Sequence, residues 1–255
     1  MKIFKNANKD KGTPILFPNA KSIWIACFAL GTVSWVIGLA LWGQQGIDVT
    51  VLFYYNAMRI ANDPIVILST WLSSYGMAVI TVIFVVYLLV SQKLKSLDAP
   101  LTVYFYTICS YGWSGIVGDV LKEIFARPRP AVTFGSEIMV LSQAVTSAFP
   151  SGHATKSIAL ILPFIFLVDD SKNLHKAIKI VIAFIAGGVC FSRVVLGAHY
   201  VSDVVAGMGM ALTGLPFSML FANMVLRRTN QERLPFLSRI WGILLIFLTY
   251  VFMIF

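Results

Sequence analysis

Residues 178–226 read IKIVIAFIAGGVCFSRVVL (178–196), GAHY (197–200) and VSDVVAGMGMALTGLPFSMLFANMVL (201–226). Two apolar runs stand back to back across a short junction, and Ser192, Arg193, His199 and Asp203 crowd around it. A transmembrane helix needs about 20 mostly apolar residues. The stretch therefore predicts two spans of opposite direction, with polar chemistry where they meet.

Working outward from that pair, similar runs occur along most of the chain. Ile23–Trp42 follows a polar leader carrying Lys2, Lys5, Lys9, Lys11 and Lys21. It is too long for a signal peptide and lacks a clear small-residue cleavage site, so it reads as an anchor. Ile65–Val90 opens after Asn62, Asp63 and Pro64, and Leu101–Leu121 follows Asp98 and Pro100. Gly152–Val168 supplies the fourth run, and Ile240–Phe255 comes last. Ile47–Ile60 mixes apolar residues with Asp48, Asn56 and Arg59, which suits an interfacial segment better than a span. The expected fold is all-α, a polytopic transmembrane helical bundle of six core spans plus a seventh at the C-terminus. Its parts are a cytoplasmic leader (1–22), a membrane core (23–226), a basic cytoplasmic loop (227–239) and the last span (240–255).

Composition excludes the main competing classes. The 255 residues are 58% hydrophobic and only 12% charged, and the mean hydropathy is +0.82. So few charges can neither keep a chain disordered nor coat a water-soluble globule. The net charge of +9 comes in small groups between apolar runs, with no basic stripe beside an aromatic platform, so nucleic acid is not the expected partner. Topology and anionic lipid explain it better. Cys27, Cys109 and Cys190 all fall inside apolar runs and read as core residues rather than a disulfide or metal framework.

Lys and Arg counts orient the bundle. With a cytoplasmic N-terminus, the inside segments hold fourteen of the 20 basic residues. The remaining six are Arg59, Lys122, Arg127, Arg129, Lys156 and Arg193. Span parity then gathers Lys122 and Arg129 (expected just past span three), Ser151, Gly152 and His153 (start of four), Ser192 and Arg193 (end of five), and His199 and Asp203 (start of six) on the outer face. Charge near membrane depth is expensive and usually functional.

Cations beside a helix N-terminus make an anion site. Free N–H groups at Ser151–Gly152–His153 point outward, and Gly152 lets the backbone approach a ligand closely. Arg129 and Arg193 can each bind phosphate oxygens in bidentate fashion, while Lys122 adds a point charge. His199 and Asp203 are four apart; on a helix they share a face, so the carboxylate can orient one ring nitrogen and leave the other free to attack. His153 is then placed to protonate a leaving alkoxide.

The spacing Lys122-x6-Arg129-Pro130, Pro150-Ser151-Gly152-His153 and Ser192-Arg193-x5-His199-x3-Asp203 resembles the three-part signature of the type 2 phosphatidic acid phosphatase superfamily. That superfamily also includes bacterial acid phosphatases and vanadium haloperoxidases. The resemblance implies His199 as a nucleophile forming a phosphohistidine, Asp203 as its orienter and His153 as general acid. It also implies a phosphate cradle of Lys122, Arg129, Ser151, Gly152 and Arg193, with no metal and no cofactor. The expected function is that of an integral membrane lipid phosphatase of the inner (plasma) membrane, its active site periplasmic or extracytoplasmic. Its partners are then the lipid substrate and the bilayer, with no obligate protein partner evident. Undecaprenyl diphosphate, lipid A phosphate, phosphatidylglycerol phosphate and phosphatidic acid all fit, with a slight lean to the first. The alternative is a lipid phosphotransferase that passes the phosphoryl group to a second lipid. A passive phosphate-binding protein or transporter has no need of the nucleophile–orienter pair.

Each residue also has a plainer reading. His199 and Asp203 could be a structural pair, but the surrounding cations favour catalysis. Lys122 and Arg129 could anchor at headgroups, as basic residues at span ends often do. Arg127 lies outside the signature, and headgroup anchoring is preferred for it over binding a second anionic group. Asp119, three residues before Lys122, is read as its helical support, and Ser192 as accessory. His175 is expected to be solvated.

Overall fold

The computed structural model describes residues 21–44, 46–93, 102–141, 146–228 and 234–254. Most of the leader and of segments 91–100 and 229–233 lie outside the described residues. Every regular element described is helical: α1 (Lys21–Gln44), α2 (Gly46–Ile60), α3 (Pro64–Lys93), α4 (Val103–Phe125), α5 (Pro130–Phe134) with a 3-10 turn at Gly135–Glu137, α6 (Gly152–Leu167), α7 (Asn173–Val195), α8 (Val201–Leu226) and α9 (Leu234–Ile254).

Four helices are long and apolar enough to cross a membrane: α1, α3, α7 and α8, over Ser22–Trp42, Pro64–Ser91, Asn173–Val195 and Val201–Leu226. The other expected spans are helices too, but α4 carries Asp119, Lys122 and Glu123 in its last two turns, and α6 has only 16 residues. The apolar part of α9 is Phe236–Val251. At 1.5 Å per residue α6 is about 24 Å long, below the roughly 30 Å of a bilayer core. Ten of its 16 residues are buried, and it packs against α3, α4, α7 and α8. The helix is a central post whose neighbours take the outward positions. The main core forms around it, with Phe84 of α3 stacked on Phe164 at 4.7 Å.

The outer faces are apolar: Ile25 and Val36 of α1, Phe184 of α7, Phe221 of α8 and Phe247 of α9 are all exposed. Such surface suits lipid, where a helix satisfies its own backbone groups. α1 packs along α8 at backbone distance, since a Cβ on Gly209 would come within 2.7 Å of the Gly31 carbonyl oxygen. Small residues at such contacts allow the dispersion packing that holds helices together in lipid.

Several local expectations change. α4 runs on to Phe125 and ends at the left-handed Ala126, so Lys122 sits inside its last turn rather than beyond the span. The loop that was expected from Lys122 to Pro150 begins four residues later and contains α5. α2 buries Asp48, Leu52, Asn56 and Arg59 along one face, so these polar residues meet protein instead of headgroups. Arg59 donates from Nη1 to the Val195 carbonyl at 2.7 Å and from Nη2 to Leu52 O and Asn56 Oδ1, both at 3.3 Å. It braces the α7–α8 turn, where Gly197 has φ +70° and a Cβ would lie 3.1 Å from Arg59 Cζ. His175 is buried, not solvated: its Nδ1 lies 2.6 Å from the Asp169 carbonyl oxygen and its ring packs edge-on to Tyr87. Cys27 and Cys190 are buried and Cys109 half-buried, all three as free thiols.

Candidate active site

One end of the bundle collects the last turn of α4, the loop after it, the start of α6, the end of α7 and the turn into α8. Backbone hydrogen bonds stitch these pieces together. Ser151 N–H donates to Asp203 O at 3.0 Å, joining the starts of α6 and α8. Ala198 and His199 N–H both donate to Arg193 O, at 3.1 and 3.2 Å, which folds the turn back over the end of α7. A Cβ on Gly152 would lie 3.2 Å from Lys122 Nζ, so the lysine lies against the glycine's open side.

His199 and Asp203 are paired, but not across a shared helix face. α8 begins at Val201 with Tyr200 as its N-cap, and Asp203 stands in the first turn. Asp203 Oδ2 accepts from Tyr200 N–H at 2.9 Å and lies 3.4 Å from His199 Nδ1. Helix-capping geometry therefore presents the carboxylate to the ring. On the other side, His199 Nε2 lies 3.2 Å from Arg129 Nη1. A guanidinium can only donate, so Nε2 offers its lone pair and the ring proton belongs on Nδ1, facing Asp203. Burial, followed by the charges of Arg129, Arg193 and Lys122, holds the His199 imidazole well below its ordinary value of 6.5. The ring is neutral and aims a nucleophilic lone pair at a cation.

The candidate cations meet neutral groups or an exposed carboxylate in the contacts that follow. Arg129 donates to Thr146 O at 2.6 Å, Thr146 Oγ1 at 3.0 Å and Ala198 O at 3.0 Å. Arg193 donates from Nη1 to Ser73 Oγ of α3. Lys122 Nζ stands 3.7 Å from Asp119 Oδ1, the expected helical pair, with the Asp119 side chain 60% exposed. Ser151 is fully buried and its Oγ has no hydrogen-bond partner. His153 lies within electrostatic reach of Arg193, His199, Lys156 and Lys122. Ser192 points away, its Oγ donating to Val189 O at 2.7 Å within its own helix.

Arg127 does not anchor at headgroups. It is 5% exposed and bridges two carboxylates, reaching Asp203 Oδ1 at 2.5 Å and Asp48 Oδ2 at 2.9 Å. Its guanidinium lies between the faces of Trp42 and Tyr200, 4.9 and 4.1 Å from their centroids. Asp48 was missed as a site residue. The signal for it was the helical spacing of Asp48, Leu52, Asn56 and Arg59, which places four residues on one inward face. Nothing in the sequence distinguished Ser73 within its apolar run.

An apolar groove of about 410 Å³ runs between α1, α4 and α8, lined by Trp35, Leu39, Val117, Leu121, Phe125 and Phe217 among others. Among the described residues no group of three or more His, Cys, Asp or Glu side chains is placed to hold a metal ion.

Comparison with known proteins places the chain in a family. The sequence profile of the PAP2 superfamily matches residues 100–229, just over half of the chain. Phosphatidylglycerophosphatase B of Bacillus subtilis is 36% identical over 107 residues, covering 40% of this chain and 49% of that protein. Lipid A 1-phosphatase of Rhizobium etli is 31% identical over 123 residues, covering 46% and 48%. Undecaprenyl-diphosphatase of Sulfolobus acidocaldarius is 26% identical over 173 residues, covering 65% and 74%. The chain thus spans about half the length of the first two of these relatives. The crystal structure of a transmembrane PAP2 type phosphatidylglycerolphosphate phosphatase from Bacillus subtilis shares the fold, with a TM-score of 0.58 and 21% identity over 80% of this chain and all of that one. The profile spans every position from Lys122 to Asp203, and the chain belongs to the PAP2 superfamily.

Proposed function

We propose that this protein is an integral membrane lipid phosphatase that works through a phosphohistidine. The observation that carries the reading is the setting of His199, whose Nε2 lies 3.2 Å from the donor-only Arg129 guanidinium and whose Nδ1 lies 3.4 Å from Asp203, which assigns the ring proton to Nδ1. A passive phosphate site has no use for that tautomer; a nucleophile does.

A phosphate entering the cradle takes the Arg129 donors that now reach His199, and receives others from Arg193, Lys122, Ser151 Oγ and the α6 N-terminus. His199 Nε2 attacks phosphorus in line, and the bond from phosphorus to the leaving oxygen breaks. His153 gives that oxygen a proton, releasing the lipid alcohol or lipid monophosphate. A water then attacks the phosphohistidine, its proton returning to His153, and inorganic phosphate leaves with His199 restored. The cations stabilise the extra charge on phosphorus in both steps. Asp203 supports the positive charge that the ring acquires in the first.

The substrate is a lipid phosphate or diphosphate. The apolar groove, lined in part by Leu121 next to Lys122 in the chain, suits a hydrocarbon tail, and the three similar proteins named above are all lipid phosphatases. Undecaprenyl diphosphate remains the first choice and lipid A phosphate the second. The site faces outward from the plasma membrane, as the distribution of basic residues favours, with the N-terminus in the cytoplasm.

The test is phosphate release by the detergent-purified protein from a panel of lipid phosphates and diphosphates, with and without EDTA, beside His199→Ala. Release that survives EDTA and falls by at least about a thousandfold in the variant is expected. Folded protein that releases nothing from any lipid overturns hydrolysis; release only when a second lipid is added identifies the phosphotransferase.

A further inference from the structure

Asp48 precedes the stretch matched by the superfamily profile and sits on a helix that contributes no residue to the cradle, yet its side chain is 1% exposed at the edge of the site. We propose that Asp48 is a positioning residue for His199, acting through Arg127 and Ser202 to fix Asp203 with one carboxylate oxygen turned to the imidazole. The inference rests on the reading of His199 as nucleophile.

The hydrogen bonds define the mechanism. Asp203 has two oxygens with different duties: Oδ1 is fastened by Arg127 Nη1 at 2.5 Å, while Oδ2 accepts from Tyr200 N–H at 2.9 Å and stands 3.4 Å from His199 Nδ1, the one charged group facing that nitrogen among the described residues. Arg127 is itself fastened from behind by Asp48 Oδ2 at 2.9 Å and donates to Ser202 Oγ at 2.6 Å. The Ser202 hydroxyl passes on to Asp48 Oδ2, and Ser202 N–H donates to Asp48 Oδ1 at 3.0 Å. Asp48 therefore pins both the start of α8 and the guanidinium that holds the orienting carboxylate.

Charge gives the arrangement a second consequence. Asp48, Arg127 and Asp203 together carry one net negative charge beside the ring that becomes positive on attacking phosphorus. Replacing Asp48 by asparagine makes the trio neutral and leaves Asp203 as the one carboxylate in contact with Arg127. The other groups facing His199 are Lys122 of α4, Arg129 of the following loop, His153 of α6 and Arg193 of α7, and none of them changes.

The experiment is steady-state phosphate release against pH for wild type, His199→Ala, Asp48→Asn and Asp48→Glu, with rates normalised to folded protein by thermal melting. Outer-shell partners of reactive groups typically contribute 10–100-fold. For Asp48→Asn, kcat is expected to fall by at least about tenfold with KM within about twofold. The acid limb of its pH profile moves to lower pH, because the ring loses a stabilising negative neighbour. Asp48→Glu keeps the charge and is expected to recover most of kcat and the wild-type limb. Asparagine and glutamate variants with wild-type kcat and pH limb overturn the proposal, as does a variant that only melts earlier. If the asparagine variant does not fold, Ser202→Ala decides, with kcat expected to fall several-fold at constant KM and an unchanged kcat overturning the inference. A wild type without activity, by contrast, removes the phosphatase reading itself.

Discussion

Arg127 and Arg129 leave one loop two residues apart and end in opposite electrostatic settings. Arg129 bonds two carbonyl oxygens, a hydroxyl and an imidazole, all neutral, which leaves its charge for the anion proposed to bind there. Arg127 is clamped between two carboxylates and two aromatic faces, so its charge is already matched. Both are buried, so burial alone does not separate a ligand-binding arginine from a scaffolding one. What separates them is the charge of their partners. For Asp48 and Asp119 the reverse holds: both stand beside a cation, and burial separates them, the first enclosed in the brace and the second 60% exposed beside Lys122.

Removing the two arginines should break the molecule in different ways. Arg127→Ala leaves Asp48 and Asp203 buried side by side without a cation, and losing one partner of a buried ion pair costs about 3–5 kcal/mol. Thermal or denaturant unfolding in detergent should show that loss, with Arg127→Lys only partly restoring it because an ammonium lacks the fork that spans both carboxylates. A melting temperature unchanged in Arg127→Ala would contradict the brace. Arg129→Ala should lower phosphate release by about 10²–10³-fold, the usual effect of deleting one preorganised donor to a transition-state charge. Its melting temperature should stay near that of wild type, since the deleted group neutralises no carboxylate in direct contact.

Proton linkage at His199 offers a subtler contrast. Because the folded protein holds this imidazole below 6.5, the unfolded chain takes up the proton first as pH falls. The resulting stability is fully present above about 6.5 and is lost progressively below it, until the folded-state imidazole protonates as well. Melting curves of the empty protein between about pH 7.5 and 5.5 should show this dependence, weakened in His199→Gln. An identical pH slope in the variant would place the titration elsewhere. The smallest effect belongs to Asp119→Asn. An exposed pair one helical turn apart contributes at most about 0.5 kcal/mol. Turnover within about threefold of wild type is expected, and a loss comparable to that of Arg129→Ala would make Asp119 part of the cradle.

The bundle was readable from apolar run lengths, since helices occupy all the expected places. Their ends were less so. Lys122 reads as a span terminus in the sequence, but the helix continues to Phe125 and ends at the left-handed Ala126, whose N–H donates to Lys122 O. That Lys122, Arg129, Ser151, Gly152, Arg193 and His199 would meet at one end of the bundle was legible because their spacing in three segments, combined with span parity, leaves one shared face. Arg127, Asp48 and Ser73 were harder. Arg127 carries the same side chain as its neighbour Arg129, and only the positions of Asp48 and Asp203 around it reveal that its charge is matched. Ser192 erred the other way: its place in the signature drew attention, yet its hydroxyl turns into its own helix.

The sequence by itself determined the helical class, the one-sided gathering of chemistry and the family signature. All three depend on the order and spacing of residues along one chain, where apolarity, helical period and parity act locally. Tertiary structure alone decided that Arg127 is matched by two carboxylates while Arg129 meets neutral groups, which nitrogen of His199 faces Arg129, and that α2 reaches into the site through Asp48. Those outcomes depend on distances of about 3 Å between residues as far apart in the chain as Asp48 and Ser202. Electrostatic and hydrogen-bond energies change over that scale, and no sequence separation encodes it.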